Sequence, residues 1–240
     1  MTFDSELRKK LQIVLGVAIV LAGARTAYIV YERYKERKEA ERPRQEHALK
    51  ADYYVTPKKL HPYDLKSARE LTKQSVWVKV GYYHTYYPYD MARRKTMFGH
   101  EVGTLLPLQK LSIQDVTTDA APQAPGIKQV LALFALNGRN YAVPIGSEQG
   151  GEFKIYSDDI FFIEDPHELY KHWPADVWKA IDNHEVQPGM SELQAICAIG
   201  AGSLDGASTS FSRTLHYANG GKPLTVTYHD DKAVAIKAGT

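Results

Sequence analysis

The chain has 240 residues, a formal net charge of +2 and a single cysteine, Cys197. That length allows one large or two small domains, each with its own core. The small charge, with Lys and Arg spread among acids, leaves no phosphate-tracking stripe and excludes a nucleic-acid partner, while one thiol excludes an internal disulfide, a multi-thiolate metal site and C-x-x-C-H haem attachment.

Residues 1–10 form a basic N-terminal tip ending in Arg8, Lys9 and Lys10. The run Leu11 to Tyr31 is apolar enough, and close enough to the roughly 20 residues a bilayer requires, to predict a membrane-spanning helix. Tyr28 and Tyr31 would then sit at an interface. Arg25 would snorkel to the headgroups or pair with a neighbouring helix. This reading gives a single-pass anchor with membrane lipid as a partner. The basic flank and Ala22-Gly23-Ala24 also fit a cleaved signal peptide, the alternative to the anchor, which does not account for the apolar residues beyond Ala24. Lys and Arg on both flanks leave the orientation open.

Residues 32–52 are rich in Glu, Lys and Arg at helical pairing distances and predict a solvated stalk. Residues 53–164 carry the β signals. Pro57 and Pro62 punctuate an extended entry, and Asp64 to Lys73 predicts a short helix. Val76 to Val80 and Thr104 to Val116 read as strands. Lys128 to Leu136 and Arg139 to Ile145 flank Asn137-Gly138, a strong hairpin signal because both turn positions need positive φ. Phe153 to Tyr156 and Ile160 to Ile163 are further strands. Five or so short strands predict a small antiparallel barrel, a pattern that resembles bacterial barrels of the Src-homology-3 type.

The stretch Gly81 to Gly103 shows the least regular pattern. It holds Tyr83, His84, Tyr86, Tyr87, Arg93 and Arg94, and it is the candidate interaction loop, since long irregular loops are either functional or disordered.

Residues 165–240 form a second domain. Asp165-Pro166-His167-Glu168 is a helix start, and Pro174 to Asn183 predicts a helix burying Val177, Trp178 and Ile181. Ser191 and Gln194 form a capping box opening a helix to Ile199, with Cys197 as a small core residue. Three strands follow, turning at Asn219-Gly220-Gly221 and at Asp230-Asp231. The expected fold is α+β and β-rich: a transmembrane helix, a small antiparallel barrel, then helix, helix and a three-stranded antiparallel sheet.

V-x-x-G-M-S-x-x-Q at Val186 to Gln194, the helix ending at Gly200, Y-x-x-G at Tyr217 to Gly220 and the final strand pair carry a likeness. This last part of the chain resembles the SmpA/OmlA (BamE-like) domain family. The resemblance implies a non-catalytic module used in protein assembly at a bacterial envelope membrane, with other membrane or envelope proteins as partners and the folded part on the envelope side.

Catalytic motifs are not found. His167 and His172 are five positions apart, about 140° off a common helical face, so they do not make an H-E-x-x-H zinc helix. Gly189 to Leu193 departs from G-x-S-x-G at its last position, and Ser191 reads as a cap. Gly200, Gly202 and Gly206 follow a helix, where a dinucleotide loop needs a strand. Asp158-Asp159 reads as turn chemistry. No catalytic, cofactor-binding or metal-ligating residues are assigned. The resulting expectation is a non-enzymatic adaptor or accessory subunit, with a cell-wall or small-ligand binding module as the alternative and an enzyme without a recognisable motif third.

Overall fold

The computed structural model describes residues 23–35, 51–122, 124–204, 206 and 212–239. The chain divides into two units, Met1–Lys50 and Ala51–Thr240.

In the first unit the described residues form one helix, α1 (residues 23–35), exposed along its whole length. The expected span begins at Leu11, and its residues 11–22 lie outside the described residues. Among the described residues no helix is long and apolar enough to cross a membrane. The described part of α1 carries Arg25, Glu32, Arg33 and Lys35, too many charges for the predominantly apolar stretch a span requires. The single-pass anchor and the membrane location built on it are corrected accordingly. Residues 36–50 of the expected stalk lie outside the described residues, and its end, Ala51–Tyr54, is a 3₁₀ turn.

The second unit opens with an extended segment held by acidic side chains. Glu164 accepts from the Lys58 amide (3.0 Å), and Asp158 accepts from the Leu60 and His61 amides (3.0 and 2.7 Å). Asp158 therefore makes long-range contacts where turn chemistry was expected. Helix α2 (Leu65–Ala68) follows with a capping box between Asp64 and Ser67, and a 3₁₀ turn completes the predicted segment.

The strands β1 (Ser75–Val78), β2 (Thr85–Asp90), β3 (Lys95–Thr96), β4 (Gly103–Thr104), β5 (Lys110–Ala120), β6 (Ile127–Leu136), β7 (Arg139–Gln149), β8 (Glu152–Ile155) and β9 (Phe161–Phe162) build a single nine-stranded antiparallel sheet. Its order is β3-β2-β7-β6-β5-β1-β9, with β4 also on β2 and β8 also on β7. This replaces the expected five-stranded barrel. The added strands come from Gly81 to Gly103, which is not an irregular loop: β2 pairs with β7 and carries β3 and β4. The run expected as one strand from Thr104 splits into β4 and β5 around Pro107, which has no amide to donate to a ladder.

The Asn137-Gly138 hairpin forms as read, with φ of 51° and 74° at its two turn residues. Strand β6 is buried on both faces. Val130, Ala132 and Phe134 join the main core with Val76, Val78 and Ile145, while Leu131 and Leu133 pack with Tyr89 and Ala142 under Phe98. Hairpin β2–β3 thus covers an otherwise open face.

A one-turn helix, α3 (Ser157–Ile160), feeds β9, whose two phenylalanines point opposite ways. Phe161 enters the first core and Phe162 the second. This strand couples the sheet to the rest of the unit.

The second core lies among α4 (Pro166–Leu169), α5 (Ala175–Asp182), α6 (Glu192–Ile199) and a sheet of β10 (Gly202–Leu204), β11 (Ser212–Tyr217), β12 (Leu224–His229) and β13 (Lys232–Ala238) in that spatial order. The sheet has four strands where three were expected, because Gly202 to Leu204 pairs with β11. Asp165 caps α4 through the His167 amide, with Pro166 at the first helical position. Ser191 and Gln194 form the predicted box on α6. The observed class is α+β with one large and one small antiparallel sheet.

Candidate functional site

The chain has three tryptophans, and they line two adjoining pockets, joined at His167 and Asp182, that together make one groove. Its wider part, of about 510 Å³, is bounded by His167, Lys171, Trp173, Trp178, Lys179 and Asn183. A narrower part of about 220 Å³ continues past His167 and Asp182 to Trp77, Leu106, Pro107 and His184. Four elements position these residues. Trp77 comes from β1, Leu106 and Pro107 from the β4–β5 turn, His167 from α4, and Trp178, Lys179 and Asp182 from α5.

The groove wall is a stack of rings. Tyr170 stacks on Trp173 (centroids 4.4 Å, 17°), Trp173 meets Trp178 at 5.1 Å, and Trp178 stacks on His167 (4.1 Å, 24°). The inner members Tyr170 and Trp173 are each 5% exposed, while His167 is exposed. The Trp173 indole N–H donates to an Asp52 carboxylate oxygen at 2.7 Å, and His172 Nε2 lies 2.6 Å from the same oxygen. The 3₁₀ turn Ala51–Tyr54 is thereby fixed behind the wall. Burial, with Cys197 and Asp52 nearby, pushes the Tyr170 hydroxyl up to about 12.

His167 is held at both ring nitrogens. Nδ1 lies 3.2 Å from an Asp165 oxygen and Nε2 lies 3.3 Å from an Asp182 oxygen. Asp165 precedes α4 and Asp182 ends α5, so the imidazole bridges the two helices. His167 and His172 therefore serve different carboxylates. Among the described residues no group of three or more His, Cys, Asp or Glu could hold a metal ion. Opposite His167, His184 Nδ1 lies 3.1 Å from the Ala198 carbonyl, so this nitrogen carries the proton and donates. The arrangement offers aromatic surface with a polar rim.

The residues singled out from the sequence lie elsewhere. Arg25, Tyr28 and Tyr31 are exposed on α1, where the Tyr28 hydroxyl donates to Glu32 at 2.9 Å. Tyr86 packs edge-on against Phe134 and Tyr141, and Tyr87 against Phe98. His84 is half-buried, and burial holds its imidazole below the usual range. Tyr83, Arg93 and Arg94 are exposed. Tyr83 and His84 precede β2 while Arg93 and Arg94 follow it, so the two exposed groups are at opposite ends of that strand. The groove was missed because its members are far apart in the chain. The usable signal was the tryptophan count, since tryptophan is scarce and concentrates at contact sites.

Comparison with family models, with curated proteins and with solved structures finds no match to this chain.

Proposed function

We propose that the chain is a non-catalytic adaptor or accessory subunit working through protein–protein contacts, and that the tryptophan groove is its contact surface. The observation that carries this reading is the convergence of Trp77, Trp173 and Trp178 on one open groove. Tryptophan is enriched among the few residues that dominate binding energy at protein interfaces, because it offers a large rigid face at low conformational cost. The likeness of Val186 to Gln194 and of the final strands to the SmpA/OmlA domains, used in protein assembly, points the same way.

The test is a mild purification of the tagged full-length chain from its native cells, with and without Trp178→Ala. Trp178 is half-buried at the edge of the second core, so circular dichroism and a urea melt establish first that the variant is folded. A partner recovered at constant stoichiometry with the parent chain and lost with the variant is expected. Recovery of the chain alone, or a partner indifferent to Trp178→Ala, would overturn the reading.

A further inference from the structure

Resting on the protein-contact reading, the charge pattern around the groove specifies the partner. We infer that the segment seated in the groove is acidic, laying apolar side chains on the tryptophans and placing carboxylates against Lys171 and Lys179.

The cations are unspent. Among the described residues neither Lys171 nor Lys179 makes an ion pair, whereas Lys58, Lys73, Lys95 and Lys128 are each paired with a carboxylate at 2.6–2.9 Å. Both line the wide part of the groove beside Trp178, and the amide of Asn183 lies on the same wall. The only acidic residue lining the groove among the described residues is Asp182, and one of its oxygens is already engaged by His167 at 3.3 Å. Asp165, just behind, is taken up by the other ring nitrogen. Glu168 and Asp176 lie on α4 and α5 but do not line the groove. An entering segment therefore meets the Lys171 and Lys179 ammoniums and one carboxylate that already faces His167.

A basic segment would meet like charge at Lys171 and Lys179 in the wide part, which costs affinity and specificity. An acidic one gains two charge-assisted contacts on top of the aromatic burial. The wide part alone has the volume of an ordinary ligand site, roughly 300–1,000 Å³.

Because every tryptophan lines the groove, the full-length chain reports its own occupancy through intrinsic fluorescence. The probes are three short capped peptides of one length: alternating Glu and Leu, alternating Gln and Leu, and alternating Lys and Leu. The acidic peptide is expected to bind about fivefold more tightly than the Gln peptide at low salt, the gain of two exposed pairs. The preference should shrink as salt rises. The double variant Lys171→Glu/Lys179→Glu should reverse the order and favour the Lys peptide. Equal binding of the acidic and Gln peptides, absence of binding by the acidic peptide, or an unchanged preference in the double variant would overturn the inference.

The double variant also separates this inference from the reading beneath it. If the native partner is lost with Trp178→Ala yet retained with the charge reversal, the acidic-segment inference falls and the protein contact stands. If a neutral oligosaccharide changes the fluorescence and no peptide does, both fall.

Discussion

The hydroxyls of Tyr217 and Tyr228 meet at 2.8 Å inside the second core, and each residue is 1% exposed. They lie on neighbouring strands, β11 and β12, on the same inward face as Leu215 and Val226. Burial, with the partner hydroxyl, pushes Tyr217 far above the ordinary phenol range, and burial pushes Tyr228 up to about 12. Replacing either with Phe keeps the ring and removes one oxygen, which leaves the other hydroxyl buried without its partner. That orphan costs about 1–3 kcal/mol. For a unit of this size 1 kcal/mol moves Tm by about 2–4 °C, so each single variant should melt roughly 2–12 °C lower. The double variant Tyr217→Phe/Tyr228→Phe removes both oxygens and leaves no orphan, so it should return to within about 0.5 kcal/mol of the parent. Urea melts of the four proteins give the cycle. A double variant destabilised by the sum of the two singles would refute the reasoning, since it would mean that each hydroxyl is satisfied independently of the other.

Cys197 is 1% exposed, and burial, with Asp52 nearby, pushes its thiol up to about 12; an alkylating reagent at mild alkaline pH should leave the native chain unmodified and label it fully in denaturant. Asp119 fastens hairpin β2–β3 to β5, accepting from Lys95 Nζ at 2.8 Å and from the Thr96 amide at 2.7 Å. Burial raises the Asp119 carboxyl, and Lys95 with the amides of Thr96 and Ala120 pulls it below the ordinary value of 3.8, so its contribution is fully present above that value and is lost as pH falls through the lower folded one. Asp119→Ala should cost about 1.5–3 kcal/mol at neutral pH and flatten the acid limb of a stability–pH profile from urea melts. At Gly146 an added Cβ would meet the backbone of Lys154 and Ile155, which belong to β8, the antiparallel neighbour paired with β7 at this position; Gly146→Ala should lose about 1–3 kcal/mol, read as a lower urea midpoint.

What was legible in the sequence was local. Asn137-Gly138 and Asp230-Asp231 take positive φ at their turns because short loops between strands need it, and the Ser191–Gln194 box forms because both partners are within one turn. These features are fixed by residues a few positions apart. Strands β2, β3, β4 and β10 were not legible. They run from two to six residues, and Tyr86 and Tyr87 both read as surface rings in the sequence. Their state depends on β7 and β11, which supply the pairing. Pro88, which has no amide to donate, still pairs with Tyr141 in the ladder of β2 and β7. The Tyr-rich stretch drew attention by its composition, and most of that composition serves packing: Tyr86, Tyr87 and Tyr89 close faces of the sheet. The groove is the reverse case. Trp178 was visible only as part of the buried face of a helix, and Trp77 only as a strand residue, because nothing short of the tertiary fold brings β1 beside α5.

That convergence also explains why the groove is suited to hold a partner. A contact surface loses affinity when its side chains must be ordered on binding. Here the ordering is done by the core. Tyr170 and Trp173 belong to the second core, and the stack passes from them through Trp178 to His167 at the surface. Each ring restricts the next, and the chain of restraint ends in two carboxylates that hold the outermost ring from both sides. Asp52 secures the buried end by accepting from the Trp173 indole. A rigid aromatic wall gives strength to whatever lies on it but discriminates weakly between apolar segments. Discrimination falls to the exposed groups at its rim, Lys171 and Lys179, which make no ion pair among the described residues and select by sign. Division of labour between a fixed wall and a free charged rim is why Trp178→Ala should remove binding altogether, whereas reversing the lysines should change which segment is bound.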